Sequence, residues 1–231
     1  MASILICGNI QLFTQDALLH LAEEYQVVVA GETSLKIKNK NINIYHTTPQ
    51  EEQFQQLFDV YSFQAAYFVS GYADGGNGLY GEVQQLEKVM IECNRSRVDK
   101  LIVLSTLESQ NYVVQYGKQG EILKKEYSSS RNFGAAQMEE MCQYFMEKSK
   151  LCCILLRLPY LADEINDKNF LGRIFHNIYE DEKVLFPYHA GDPLEFLSFS
   201  DLVSLLIEIT NETEDKSTVY DVSSGYRYTY E

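Results

Sequence analysis

The 231-residue sequence has no tryptophan, four prolines and only 19 basic residues against 33 acidic ones. The resulting net charge of −14 argues against a surface built to grip nucleic acid or an anionic membrane, because both need clustered lysine and arginine. The one local basic run, Lys36 to Lys40, reads as a solvated turn between strands. No apolar stretch approaches the roughly 20 residues that span a bilayer. Ile4 to Ile6 is also too short to form the apolar segment of a secretion signal. Cys7, Cys93, Cys142, Cys152 and Cys153 lack the spacing of zinc ligands or of a disulfide framework. They read as reduced, buried thiols of a cytoplasmic protein. His20, His46, His176 and His189 are dispersed, so no metal is expected.

What is present is a strand–turn–helix–strand opening. Ser3 to Gly8 reads as a short buried strand ending in glycine, and from Thr14 the chain reads as a helix with Leu18, Leu19 and Leu21 apolar. Val27 to Ala30 is a second β-branched run, closed by Gly31 and Glu32, and Glu32 stands 24 residues after Gly8. This is the layout of a Rossmann mononucleotide unit. Glycine is missing from part of that turn, however. Gln11 and Thr14 stand where further glycines would let backbone approach a pyrophosphate.

Strand and helix patterns then alternate. Strands are predicted at Asn41 to Tyr45, Ala65 to Val69, Leu101 to Leu104 and Cys152 to Leu156. Helices are predicted at Pro49 to Tyr61, Gly81 to Asn94 and Ser130 to Lys148. Beyond Pro159 the pattern loosens, with helices at Leu171 to Tyr179 and Asp201 to Thr210 and short strands near Val184-Leu185 and Val219 to Val222. Such alternation predicts an α/β, Rossmann-like, doubly wound and mainly parallel sheet covered by helices on both faces. Residues 1–231 read as one domain, with a core over about 1–160 and a small C-terminal lobe over 161–231.

The order of several short motifs resembles the extended short-chain dehydrogenase/reductases, the NAD-dependent epimerase/dehydratase type. Val98 to Thr106 looks like the strand that delivers an active-site hydroxyl, and Tyr127-Ser128-Ser129-Ser130-Arg131 looks like the Tyr-x-x-x-Lys element. Leu155 to Pro159, Glu195 to Val203 and Val219 to Gly225 are similar to later segments of the same family. The resemblance implies NAD or NADP as cofactor and a nucleotide-sugar or similar carbonyl or hydroxyl compound as substrate. Gly8, Asn9, Ile10, Gln11, Leu12, Glu32, Ser70 and Gly71 would then line the cofactor site. Tyr127 would transfer a proton, Ser105 or Thr106 would orient the oxygen, and Arg131 would supply positive charge. Residues at i and i+4 share a helix face, which would bring Arg131 to Tyr127.

The first turn reads G-x-x-Q-x-x-T and the Tyr127 motif ends in Arg131, so both depart from the family's pattern. A guanidinium donates in a fixed fork and does not simply inherit an ammonium's ribose contacts. Arg157 reads either as an anchor for a substrate phosphate or as half of a structural ion pair. Two functions follow: an atypical NAD(P)-dependent enzyme, or a non-catalytic sensor or interaction module regulating an attached or partner protein. The helices at Gly81 to Asn94 and Ser130 to Lys148 would form a homodimer surface by the same resemblance. Gly225 to Glu231 falls where that family begins another helix, as in a short member or a module of a longer protein.

Overall fold

A computed structural model of the chain describes residues 1–10, 13–70, 78–110, 112–116, 122–127, 130–162, 176–180, 195–213 and 216–226. The opening unit is β1 (Ser3–Gly8), α1 (Gln15–Glu24) and β2 (Gln26–Ala30), followed by β3 (Ile42–Tyr45) and α2 (Glu52–Val60). Next come β4 (Phe63–Val69), α3 (Gly78–Ser96) and β5 (Lys100–Thr106), closed by a 3-10 turn at Leu107–Gln110. β6 (Tyr112–Tyr116) and β7 (Ile122–Tyr127) form an antiparallel hairpin before α4 (Ser130–Lys148) and β8 (Cys152–Leu158). Short β9 (Tyr160–Leu161) and β10 (Phe196–Leu197) pair with each other, and α5 (Phe199–Asn211) and β11 (Thr218–Asp221) complete the described chain.

Seven strands form one sheet in the order β11-β8-β5-β4-β1-β2-β3. Every neighbouring pair in it is parallel. Strand order therefore reverses between β1 and β4, which opens a crevice beyond their carboxyl ends. Alternation along the strands divides the core in two. Ile4, Ile6, Val27 and Val29 face α1 and α5. Leu5, Cys7, Val28 and Ala30 face α2, α3 and α4 through residues such as Phe54, Leu86 and Met138. Both faces are covered, as a parallel sheet requires. All five cysteines are buried reduced thiols. Among the described residues, no helix is long and apolar enough to cross a membrane.

Two parts of the chain differ from the sequence expectations. The β6–β7 hairpin was not expected, although Tyr, Val and Ile favour strands by fitting a pleated, half-buried surface. The basic run Lys36 to Lys40 is not one turn throughout: only its end, at Lys40 and Asn41, forms a turn. Its lysines are exposed, while Leu35 and Ile37 pack on the core. The strand expected at Val184-Leu185 and the first half of the helix expected from Leu171 lie outside the described residues.

Buried Lys100 ties α5 to the sheet. Its Nζ donates to the carbonyl of Ile209 at 2.8 Å and also to those of Thr210 and Glu212, satisfying the carbonyls that a helix C-terminus leaves open. Tyr67, whose phenol burial pushes well above its ordinary pKa, holds Thr210 through its hydroxyl at 2.8 Å. Lys100→Met is expected to lower stability by about 2 kcal/mol, because several buried carbonyls lose their donor together. Urea unfolding measures it, and a loss under about 0.5 kcal/mol would show that water replaces the ammonium without cost.

Candidate nucleotide crevice and the residues around it

The crevice begins at Gly8, whose φ of +89° lies in the region that favours glycine. A side chain there would press into the Val69 carbonyl at the end of β4. Closeness of the two strand ends is locked by the Asn9 amide, which donates to that same carbonyl at 2.8 Å. The Ser70 amide continues the stitching to Leu104 on β5 at 3.1 Å. Ile10 is turned inward, with its side chain over Gly31 at the end of β2, and a Cβ on Gly31 would meet Ile10 Cδ1 at 3.0 Å. Phe13 is buried in the same core beneath the turn. Glu32 is exposed just past β2. Gln11, Leu12 and Gly71 lie outside the described residues.

The start of α1 differs from an open anion site. Its first helical residue is Gln15, and Thr14 is the N-cap, its hydroxyl accepting from the Ala17 amide at 3.1 Å. The Phe13 amide already donates to the Ile10 carbonyl at 3.0 Å. Asp16 places a carboxylate in the first turn, where it complements the helix dipole that a phosphate would otherwise use. Among the described residues, Gly8, Gly31 and Glu32 stand at the ends of β1 and β2, while Thr14 and Asp16 engage the start of α1. Thr14→Ala is expected to cost about 1 kcal/mol by uncapping α1. Thermal unfolding checks this, and an unchanged midpoint would mean that another acceptor takes over the Ala17 amide.

Ser105 and Thr106 are buried at the carboxyl end of β5. The Ser105 hydroxyl donates to Glu139 Oε1 at 2.9 Å. Glu139 Oε2 in turn receives Arg157 Nε at 2.9 Å and Nη2 at 2.8 Å, while Arg157 Nη1 reaches Asp221 Oδ1 at 3.1 Å. Burial works against the Arg157 charge, but the Glu139 and Asp221 carboxylates more than offset it and hold its pKa above the ordinary value. Arg157 is therefore the centre of an ion-pair network. Ser105↔Arg157 is also a register pair of β5 and β8, and with Asp221 on β11 the network clasps three strands and α4.

Tyr127 is not on a helix. It is the last residue of β7, opposite Tyr112, and α4 starts only at Ser130. Its ring packs edge-on against Phe133 with centroids 5.3 Å apart. The expectation that Tyr127 and Arg131 share one helix face is thus corrected: strand pairing has taken the tyrosine, and i, i+4 proximity holds only where both residues are helical. Glu139 is the residue that sequence reasoning missed. Its signal was present, because it falls on the buried stripe of α4 with Ala135, Met138 and Cys142. A carboxylate on an apolar stripe needs a partner.

The sequence matches no protein-family model and no curated protein. Solved structures do match. UDP-glucose 4-epimerase of Thermotoga maritima, with UDP-glucose, superposes with a TM-score of 0.72 at 15% identity, covering 100% of this chain and 79% of that one. dTDP-glucose 4,6-dehydratase of Bacillus anthracis, in complex with NAD, gives 0.76 at 14% identity, covering 100% and 78%. The fold is that of the nucleotide-sugar epimerases and dehydratases. A third such structure, UDP-glucuronic acid 4-epimerase of Bacillus cereus with UDP-glucuronic acid and NAD, gives 0.76 at 12% identity over 99% and 79% of the two chains. At these identities the likeness is one of architecture, and function must be argued from the site. Among the described residues, no group of three or more His, Cys, Asp or Glu side chains gathers to hold a metal.

Proposed function

We propose that this chain is a nucleotide-binding regulatory module with the epimerase/dehydratase fold, rather than a working oxidoreductase. The observation that carries this reading is the buried Ser105 hydroxyl, engaged by a Glu139 carboxylate that Arg157 holds in turn. Proton transfer of the expected kind needs a hydroxyl that can turn to the substrate. The β1–β4 crevice supports nucleotide binding because Gly8 preserves the close strand approach. Binding is expected to rest on the nucleoside, with little from the diphosphate. Glu32 favours NAD over NADP, since a carboxylate accepts from a ribose hydroxyl and repels a 2′-phosphate.

Calorimetric titration with NADH, NADPH and adenosine monophosphate tests the binding half. NADH is expected to bind more tightly than NADPH and only slightly more tightly than the monophosphate. Absence of saturable binding by any of them would remove the nucleotide from the proposal. Incubation with NAD and UDP-glucose tests the other half. Turnover that disappears in Tyr127→Phe would establish the second reading, an atypical NAD-dependent epimerase or dehydratase. That reading is favoured by Ser105 and Thr106 lying at the end of β5, beside the crevice. In either case α3 and α4 expose Ile91, Phe133 and Tyr144. We take that face as the homodimer surface, which light scattering of the purified chain would test.

A further inference from the structure

Among the described residues, a groove lies on the α5-covered face of the sheet, at its β11 edge. Its volume is about 460 Å³. Leu156, Leu205 and Val222 form an apolar floor, and carboxylates stand around it at Asp201, Glu208, Glu212 and Asp221. Positions 201, 205 and 208 follow helical i+4 and i+3 steps along the outer side of α5, and Glu212, its C-cap residue, continues that stripe. The inner side, Leu202, Val203, Leu206 and Ile209, is already buried in the core. β11 is the terminal strand and pairs only with β8, and Tyr220 on it is 48% exposed.

From Asp201 to Glu212 the stripe runs about 16 Å at the helical rise. That is the length of three helical turns laid alongside α5, where a doubly wound sheet would place a covering helix over its edge strands. Of the four carboxylates, Asp221 is paired with Arg157, and among the described residues no cation is paired with the other three. The sign and shape together select the occupant. An acidic partner would be repelled, and an uncharged helix would leave the rim carboxylates desolvated without a counter-charge.

We propose that this groove docks a cationic amphipathic helix of a partner protein, with apolar side chains at i, i+4 and i+7 on the Leu205 floor and lysines or arginines flanking them. The site is independent of the nucleotide crevice and stands or falls separately from it.

The test uses the full chain and a labelled synthetic helix of 14 residues or so, with leucines at that spacing and flanking lysines. Fluorescence anisotropy is expected to show saturable binding that a glutamate-flanked version of the peptide lacks. Glu208→Lys/Glu212→Lys is expected to weaken it about tenfold or more. Glu52→Lys/Glu87→Lys, an equal change of net charge at exposed positions of α2 and α3 on the opposite face, is expected to leave it nearly intact. Amide exchange on the unmodified protein provides a second reading, with peptide-induced protection confined to α5 and β11. Equal weakening by both charge reversals, or protection elsewhere, would reduce the effect to bulk charge and overturn the proposal. No saturable binding would overturn it too. So would self-association of the chain that Glu208→Lys/Glu212→Lys abolishes, since the groove would then belong to a second copy, with exposed Lys36, Lys38 and Lys40 supplying the cations.

Discussion

Glu139→Ala is expected to destabilise the protein by about 3 kcal/mol, the ordinary consequence of breaking a buried pair from one side. The Glu139 side chain is only 3% exposed and that of Arg157 is 15% exposed, so water does not readily replace the lost partner. Asp221 remains on Arg157, but its side chain is 64% exposed and such a pair contributes little. Ser105 also loses the acceptor for a buried hydroxyl, which adds to the cost. The companion experiment is Glu139→Ala/Arg157→Met. Removing both charges should recover a substantial part of the loss, because the penalty lies in the stranded guanidinium rather than in the missing attraction. Equilibrium urea unfolding of the set measures the coupling. A single-mutant loss near zero, or a double mutant worse than the sum of its parts, would mean that the network is not held as described.

Gly8→Ala is expected to cost at least about 3 kcal/mol and to abolish nucleotide binding. Two penalties combine here. An L side chain at φ +89° is strained by roughly 1–2 kcal/mol, and its Cβ would press on the backbone of Val69, which has no side-chain freedom with which to yield. Relief would require β1 and β4 to part at their carboxyl ends, breaking the Asn9–Val69 hydrogen bond and widening the crevice. Gly31 offers the contrast. Its nearest neighbours are the flexible end of Ile10, so Gly31→Ala should be milder by comparison. Circular dichroism and thermal unfolding separate the two substitutions. Equal, small losses would show that Gly8 is not a close-approach residue.

The mixture of clear and obscure parts in this chain has a physical basis. Local period and β-branching were enough to place β1, β2, β4, β5 and β8 and the helices between them, because burial on both faces leaves those segments almost wholly apolar. The helix expected at Gly81 to Asn94 extends in the structure over Gly78–Ser96, an error confined to its ends. The hairpin was not legible in the same way. Its pairing of Tyr112 with Tyr127 joins residues fifteen apart across a connection without apolar periodicity. Reading Tyr127 as helical followed from the motif it resembled rather than from its neighbours.

The sequence by itself determined the layered α/β architecture, the acidic surface and the altered glycine turn, since periodicity, charge and glycine content are local properties of a chain. Tertiary structure alone decided where the reactive groups went. Ser105, Glu139, Arg157 and Asp221 meet only because β5, α4, β8 and β11 converge. Tyr127 ends a strand and packs its ring on Phe133 of the helix that follows, because pairing with Tyr112 carries β7 up to that residue. Contacts between residues far apart in sequence depend on packing, and no local pattern of side chains encodes them.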